Sequence, residues 1–196
     1  MNKLRHAISN TNGQKPLVIT NGMARSGKDT FAGFVGKRVF VYKYSSIDKV
    51  KEIARQCGWN GEKDEKSRAF LSELKMLTSK YYDMPFKDIE EKYRAFQEDD
   101  RYDVMIVDIR EPEEIEKAKQ ELGAITVFIE NDRVKQLTSN YGDAHVRDYQ
   151  YDYTIYNNGT LNELDFEAEI FCACTLEPLI KAAKKIEREG SCDERQ

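Results

Sequence analysis

From residue 17 onward, short apolar runs alternate with stretches whose apolar residues recur at helical spacing. The runs LVIT (17–20), FVYKYS (40–45), YDVMIVD (102–108), AITVFIE (124–130) and YDYTIYN (151–157) read as five strands. Between them, KDTFAGFVGKRV places Phe31, Phe34 and Val35 on one stripe, and IDKVKEIARQCG reads as a helix opened near Asp48 and stopped by Gly58. A further helix spans about Glu65 to Tyr81 with Phe70, Leu71, Leu74 and Leu77 on one face, and Pro85 starts a charged helix that reaches about Glu98. Pro112 suits the first turn of the next helix, whose positive end gathers glutamates and whose end is Gly123. The last helix begins near Thr160. Strand and helix in alternation predict an α/β fold of three layers, α/β/α, around a mainly parallel five-stranded sheet.

Length and charge narrow the classes. With 196 residues the chain suits one domain, expected over 16–188, after a polar leader (1–15) and before a frayed tail (189–196). The net charge of −4 leaves no basic excess to clamp a long nucleic acid, although local cations can still hold a small anion. No stretch has the length and apolarity of a membrane span, and the N-terminal residues lack the apolar segment of a secretory signal, so a cytoplasmic protein is expected. The cysteines at 57, 172, 174 and 192 fall at no metal-binding spacing; they read as reduced thiols, with Cys172 and Cys174 in buried structural roles. A homodimer is compatible with the sequence, which carries no other mark of oligomeric state.

The candidate chemistry sits after the first strand. Gly22, four residues, then Gly27-Lys28 has the spacing of a phosphate-binding loop, and here it follows a strand and opens a helix. That arrangement gathers backbone N–H groups at a helix N-terminus, where they attract phosphate. Lys28 supplies a point charge for the terminal phosphates of a nucleoside triphosphate, and Gly27 permits close backbone approach. Asp29 stands where such loops usually carry Ser or Thr. A carboxylate beside phosphates calls for a cation, so Asp29 and Thr30 are candidate Mg²⁺ contacts, directly or through water. Asp108 ends an apolar strand, which suits either an acid facing the nucleotide or a helix N-cap. Arg110 suits either a two-pronged grip on an acceptor phosphate or a pair with Glu113 or Glu114.

RSGKDT (25–30), SIDKVKEIA (46–54), WNGEKDEKSR (59–68), VDIREPEE (107–114) and DAHVRDYQYDYTIYNNGTLNEL (143–164) together resemble the deoxynucleoside monophosphate kinases of phages and bacteria, a branch of the P-loop NTPase fold that is also similar to phosphomevalonate kinase. The resemblance implies an ATP site at Gly22, Arg25, Ser26, Gly27, Lys28, Asp29 and Thr30, with Mg²⁺ near Asp29, Thr30 and Asp108. It implies an acceptor region over about 46–100, with Lys51, Lys63, Arg68, Arg110 and Glu114 as substrate contacts. It also implies a lid over about 131–149, bringing Arg133, Lys135 and Arg147 to the phosphates. Members of the family often carry His-x-Ser/Thr-Glu in the lid, where this chain has His145-Val146-Arg147-Asp148. Lys28, Asp108 and Arg110 would then be the catalytic set. Trp59 suits base stacking or half-buried packing.

The activity so implied is ATP- and Mg²⁺-dependent phosphoryl transfer to a (deoxy)nucleoside monophosphate. Two other readings share the loop: a kinase for another small phosphorylated acceptor, such as dephospho-coenzyme A or a phosphorylated isoprenoid precursor, and a nucleotide-binding regulator without efficient transfer. The Asn-Lys-x-Asp base reader of GTPase-type switches is absent from the sequence.

Overall fold

In the computed structural model, residues 13–134 and 145–193 are described. Five strands, β1 (Leu17–Asn21), β2 (Val41–Ser45), β3 (Val104–Asp108), β4 (Ile125–Glu130) and β5 (Tyr153–Tyr156), form one sheet in the order β2-β3-β1-β4-β5. Every pairing is parallel. Strands of a parallel sheet are covered on both faces and therefore read as unbroken apolar runs, as β1, β3 and β4 do.

The period of two decides which helix each residue meets. Val18, Val104, Ile106, Val127 and Ile129 face helices α1 (Lys28–Val35) and α6 (Leu161–Phe171), with Phe31, Leu164 and Phe171 among the filling side chains. Leu17, Ile19, Met105 and Val107 face α4 (Met84–Gln97) and α5 (Pro112–Leu122), through Phe86, Ile89, Phe96 and Ile115. Helices α2 (Asp48–Gln56) and α3 (Glu65–Tyr82) lie between β2 and α4, and α7 (Glu177–Asp193) follows a π-helical segment, Cys172–Leu176. The sheet is thus the middle layer of a three-layer α/β/α fold.

Local chemistry sets most boundaries. Thr160 caps α6 in a reciprocal box with Glu163, and Gly123 ends α5 with φ +65°. Several sequence expectations need correction. Lys15, assigned to the leader, is buried: its ammonium donates to the Phe96 and Asp99 carbonyls at 3.4 and 3.1 Å. Of α3, only Lys75 is buried, while Leu77 is 64% exposed, because α3 meets few neighbours beyond α2 and α4. Cys174 is exposed because, two residues on from Cys172, it falls on the opposite side of the helix, whereas Cys172 is buried as expected. Helix α7 continues to Asp193 instead of fraying from residue 189, aided by a Lys185–Glu189 pair one turn apart. The leader before residue 13, the tail after 193 and residues 135–144 of the expected lid lie outside the described residues. Among the described residues no helix is long and apolar enough to cross a membrane.

Besides its ladder with β4, the edge strand β5 is tied to β4 and α5 by the carboxylate just before it. Asp152 accepts from the Thr126 N–H at 3.0 Å, from its hydroxyl at 2.9 Å and from the Lys119 ammonium at 2.5 Å. Burial alone would raise its pKa, but these donors outweigh burial and the net shift is downward from 3.8. A lowered folded pKa stabilises the fold above the unfolded value and loses that contribution as pH falls through the folded one. Asp152→Ala is therefore expected to cost about 2 kcal/mol near neutral pH, with a smaller deficit below about pH 4, as read from urea denaturation across pH.

Candidate phosphate-binding site

The loop after β1 closes on itself. Gly22 leaves the strand at φ +149°, Arg25 at φ +68° and Gly27 at φ +104° complete the turn, and Ser26 N–H donates to the Met23 carbonyl at 3.0 Å. The glycines are required by space as well as by torsion. A Cβ on Gly27 would lie 2.4 Å from Asn157 Nδ2, and one on Gly22 would lie 2.5 Å from the Ile129 carbonyl. Helix α1 starts at Lys28 with no side chain capping it, so the first-turn N–H groups keep the donor capacity that a phosphate needs. The Ser26 hydroxyl is buried beneath the loop with no hydrogen-bond partner.

Lys28 folds over the turn and donates to the Gly22 and Met23 carbonyls at 2.8 and 3.1 Å. Asn21, buried at the end of β1, holds three segments together. Its Oδ1 accepts from Gly22 N–H at 2.8 Å, and its Nδ2 donates to the Tyr151 hydroxyl at 2.8 Å and the Arg110 carbonyl at 3.2 Å. Asn157 donates to the Ser26 carbonyl at 2.8 Å, fixing the far side of the turn.

Asp108 lies opposite Thr20 in the β1–β3 register, at the carboxyl ends of the two central strands. Ligands of open α/β sheets bind at that edge, where the chain connections diverge to opposite sides. The Thr20 hydroxyl donates to Asp108 Oδ1 at 2.5 Å. The N-cap alternative is removed, because the cap position of α5 belongs to Glu111.

Lys43, from β2, is a residue that sequence reasoning missed. Its ammonium contacts the Asp29 carboxylate and lies 3.8 Å from Asp108 Oδ2. Lys43 lowers the Asp29 pKa against a smaller opposing effect of burial, with help from the charges of Lys28 and Lys63. Both carboxylates approach one ammonium, and among the described residues no cluster of three or more acidic, His or Cys side chains stands ready for a metal, so Mg²⁺ here would complete its shell with phosphate and water oxygens. Thr30 is exposed on the next position of α1.

Other candidate residues are more scattered. Arg110 is half-buried on the loop between Asp108 and α5. Glu114 is bound within the protein, since the Lys75 ammonium contacts both Glu111 and Glu114, the latter at 2.9 Å, and the Ser46 hydroxyl at 3.3 Å. Burial pushes the Glu114 carboxyl upward against the pull of Lys75. Lys51 pairs with Asp48 at 2.9 Å; Arg68 is exposed and its Nε donates to the Lys63 carbonyl at 3.1 Å. Trp59 donates to the Glu62 carbonyl at 3.1 Å, with the Arg55 guanidinium 5.6 Å from its ring. Arg133 clasps the turn before α6 through the Asn158 and Gly159 carbonyls, and Arg147 pairs with Glu130. His145 contacts Asp148.

No protein-family model and no curated protein matches the chain. Among solved structures it is similar to shikimate kinase from Aquifex aeolicus, with 15% sequence identity over 79% of this chain and 94% of that chain and a TM-score of 0.43.

In chemical terms, one edge of the sheet combines a tight turn leading into an uncapped helix start, a lysine over that turn and two carboxylates that share the Lys43 ammonium. Such an edge suits a metal-complexed polyphosphate.

Proposed function

We propose that the protein transfers the terminal phosphoryl group of ATP, in the presence of Mg²⁺, to a small phosphorylated acceptor, and that the acceptor is a (deoxy)nucleoside monophosphate. The observation that carries the reading is the joint placement of the closed Gly22–Lys28 turn and Asp108 at the carboxyl edge of β1 and β3. The resemblance to deoxynucleoside monophosphate kinases supplies the acceptor class.

An ionised acceptor phosphate is already a nucleophile, so the protein's work is positioning and charge neutralisation. Mg²⁺ held near Asp29 and Asp108 would offset phosphate charge. Lys28, held on the Gly22 and Met23 carbonyls, would exchange those contacts for phosphate oxygens. Asn21 ties the Arg110 backbone to the first residue of the loop, which limits drift between the donor and acceptor sides. Lys51, Lys63, Arg68, Glu114 and, from the lid, Arg147 belong in this reading to the acceptor side, and Arg25 and Arg133 to the donor side. Arg133 and Arg147 would have to leave the Asn158 and Glu130 contacts to reach phosphate.

Arg110→Ala is expected to lower kcat/KM for the acceptor by about 10²-fold while leaving ATP hydrolysis in its absence nearly unchanged. Coupled ADP release with and without acceptor checks this. An unchanged acceptor dependence would remove Arg110 from the site.

A further inference from the structure

Lys43 occupies an odd position for a mere surface charge. On β2 its neighbours Tyr42 and Tyr44 pack toward α4, so Lys43 projects to the other face, on the side of α1. There it meets Asp29 in the first turn of α1 and approaches Asp108 at the end of β3. Asp29 and Lys43 have side chains 86% and 39% exposed, and an ion pair so open to water contributes little to stability. Holding the fold together therefore does not account for it. Two carboxylates without a cation between them would repel, and would also repel an incoming polyphosphate.

We propose that Lys43 is a tethered cation that holds the metal position between Asp29 and Asp108 until a metal–nucleotide arrives, and is then displaced. The inference rests on the proposed function for the identity of that ligand, but the competition between ammonium and metal does not depend on transfer. The ammonium keeps the two carboxylates converged and neutralised while no nucleotide is bound. It also suppresses binding of the free metal, so that the metal enters with its phosphates. A resident positive charge is a penalty to a bare dication and is tolerated by a metal–triphosphate complex, whose net charge is negative.

The test uses Mn²⁺ alone and the full-length chain without nucleotide, following the free-ion signal by electron paramagnetic resonance. Lys43→Gln is expected to bind Mn²⁺ at least about tenfold more tightly than the parent. Lys43→Arg, which keeps the charge, should bind as weakly as the parent, and Lys43→Gln combined with Asp29→Asn should lose the gain. Equal or weaker Mn²⁺ binding by Lys43→Gln, or a gain that survives loss of Asp29, would overturn the inference. No ATP and no acceptor enter the measurement. A protein that phosphorylates monophosphates but shows no gain keeps its proposed function and loses the tethered cation; the converse result separates the two the other way.

Discussion

Lys28→Ala is expected to lower phosphoryl transfer by about 10²–10³-fold or more and to leave the far-UV circular dichroism spectrum and thermal midpoint close to those of the parent. The asymmetry follows from what Lys28 touches. Lys28 donates to the Gly22 and Met23 carbonyls, and the loop is also closed through Asn21 and Asn157, which remain in the variant. In the proposed function its charge, in contrast, would offset that of the triphosphate. A variant retaining a tenth or more of the parental rate would remove Lys28 from the mechanism. A variant that unfolds would show that its contacts within the loop are structural.

The second large effect concerns stability. Lys75 is the one buried residue of α3, and it bridges Ser46, Glu111 and Glu114. Removing one partner of a buried ion cluster leaves uncompensated charge, so Lys75→Met should cost about 3–5 kcal/mol in denaturant unfolding. Adding Glu111→Gln and Glu114→Gln should recover part of that loss, since no charge is then stranded. The sign with pH follows from Glu114, whose folded pKa lies above its unfolded value because burial dominates. A raised pKa stabilises the fold at low pH and loses that contribution as pH rises through it; because Lys75 pulls the Glu114 pKa down, its loss raises that pKa further and the variant gains more than the parent as pH falls. The deficit of Lys75→Met should therefore shrink on going from about pH 8 to pH 5. A deficit under about 1 kcal/mol would mean that the cluster is open to water in solution.

The elements readable in the sequence were those whose signals are local. Apolar runs marked the strands, Pro112 and Gly123 bracketed α5, and the glycine spacing marked the tight turn after β1. Asp108 at the end of β3 was readable because an acid closing an apolar run has few uses. The partnerships were not readable. Lys43 looks like the solvent-facing member of an alternating strand, and its meeting with Asp29 depends on the strand order and on the placement of α1. Lys75 looks like the polar edge of an amphipathic helix, and its burial depends on α3 lying beside Glu111 and Glu114. Periodicity likewise gave α3 an apolar face without saying how much of it a neighbour covers, which is why Leu77 is exposed. Asn21 carries no sequence signal at all, yet it joins the loop, Tyr151 and the Arg110 backbone.

Presentation of a metal-bound triphosphate by the loop after β1 to a phosphorylated acceptor is tested most directly by ADP formation from ATP and Mg²⁺ across ribo- and deoxynucleoside monophosphates, dephospho-coenzyme A and phosphomevalonate. At least one nucleoside monophosphate is expected to raise ADP formation about 10²-fold or more above hydrolysis, and chelating the metal to abolish the increase. ATP binding with no acceptor able to raise turnover would contradict it.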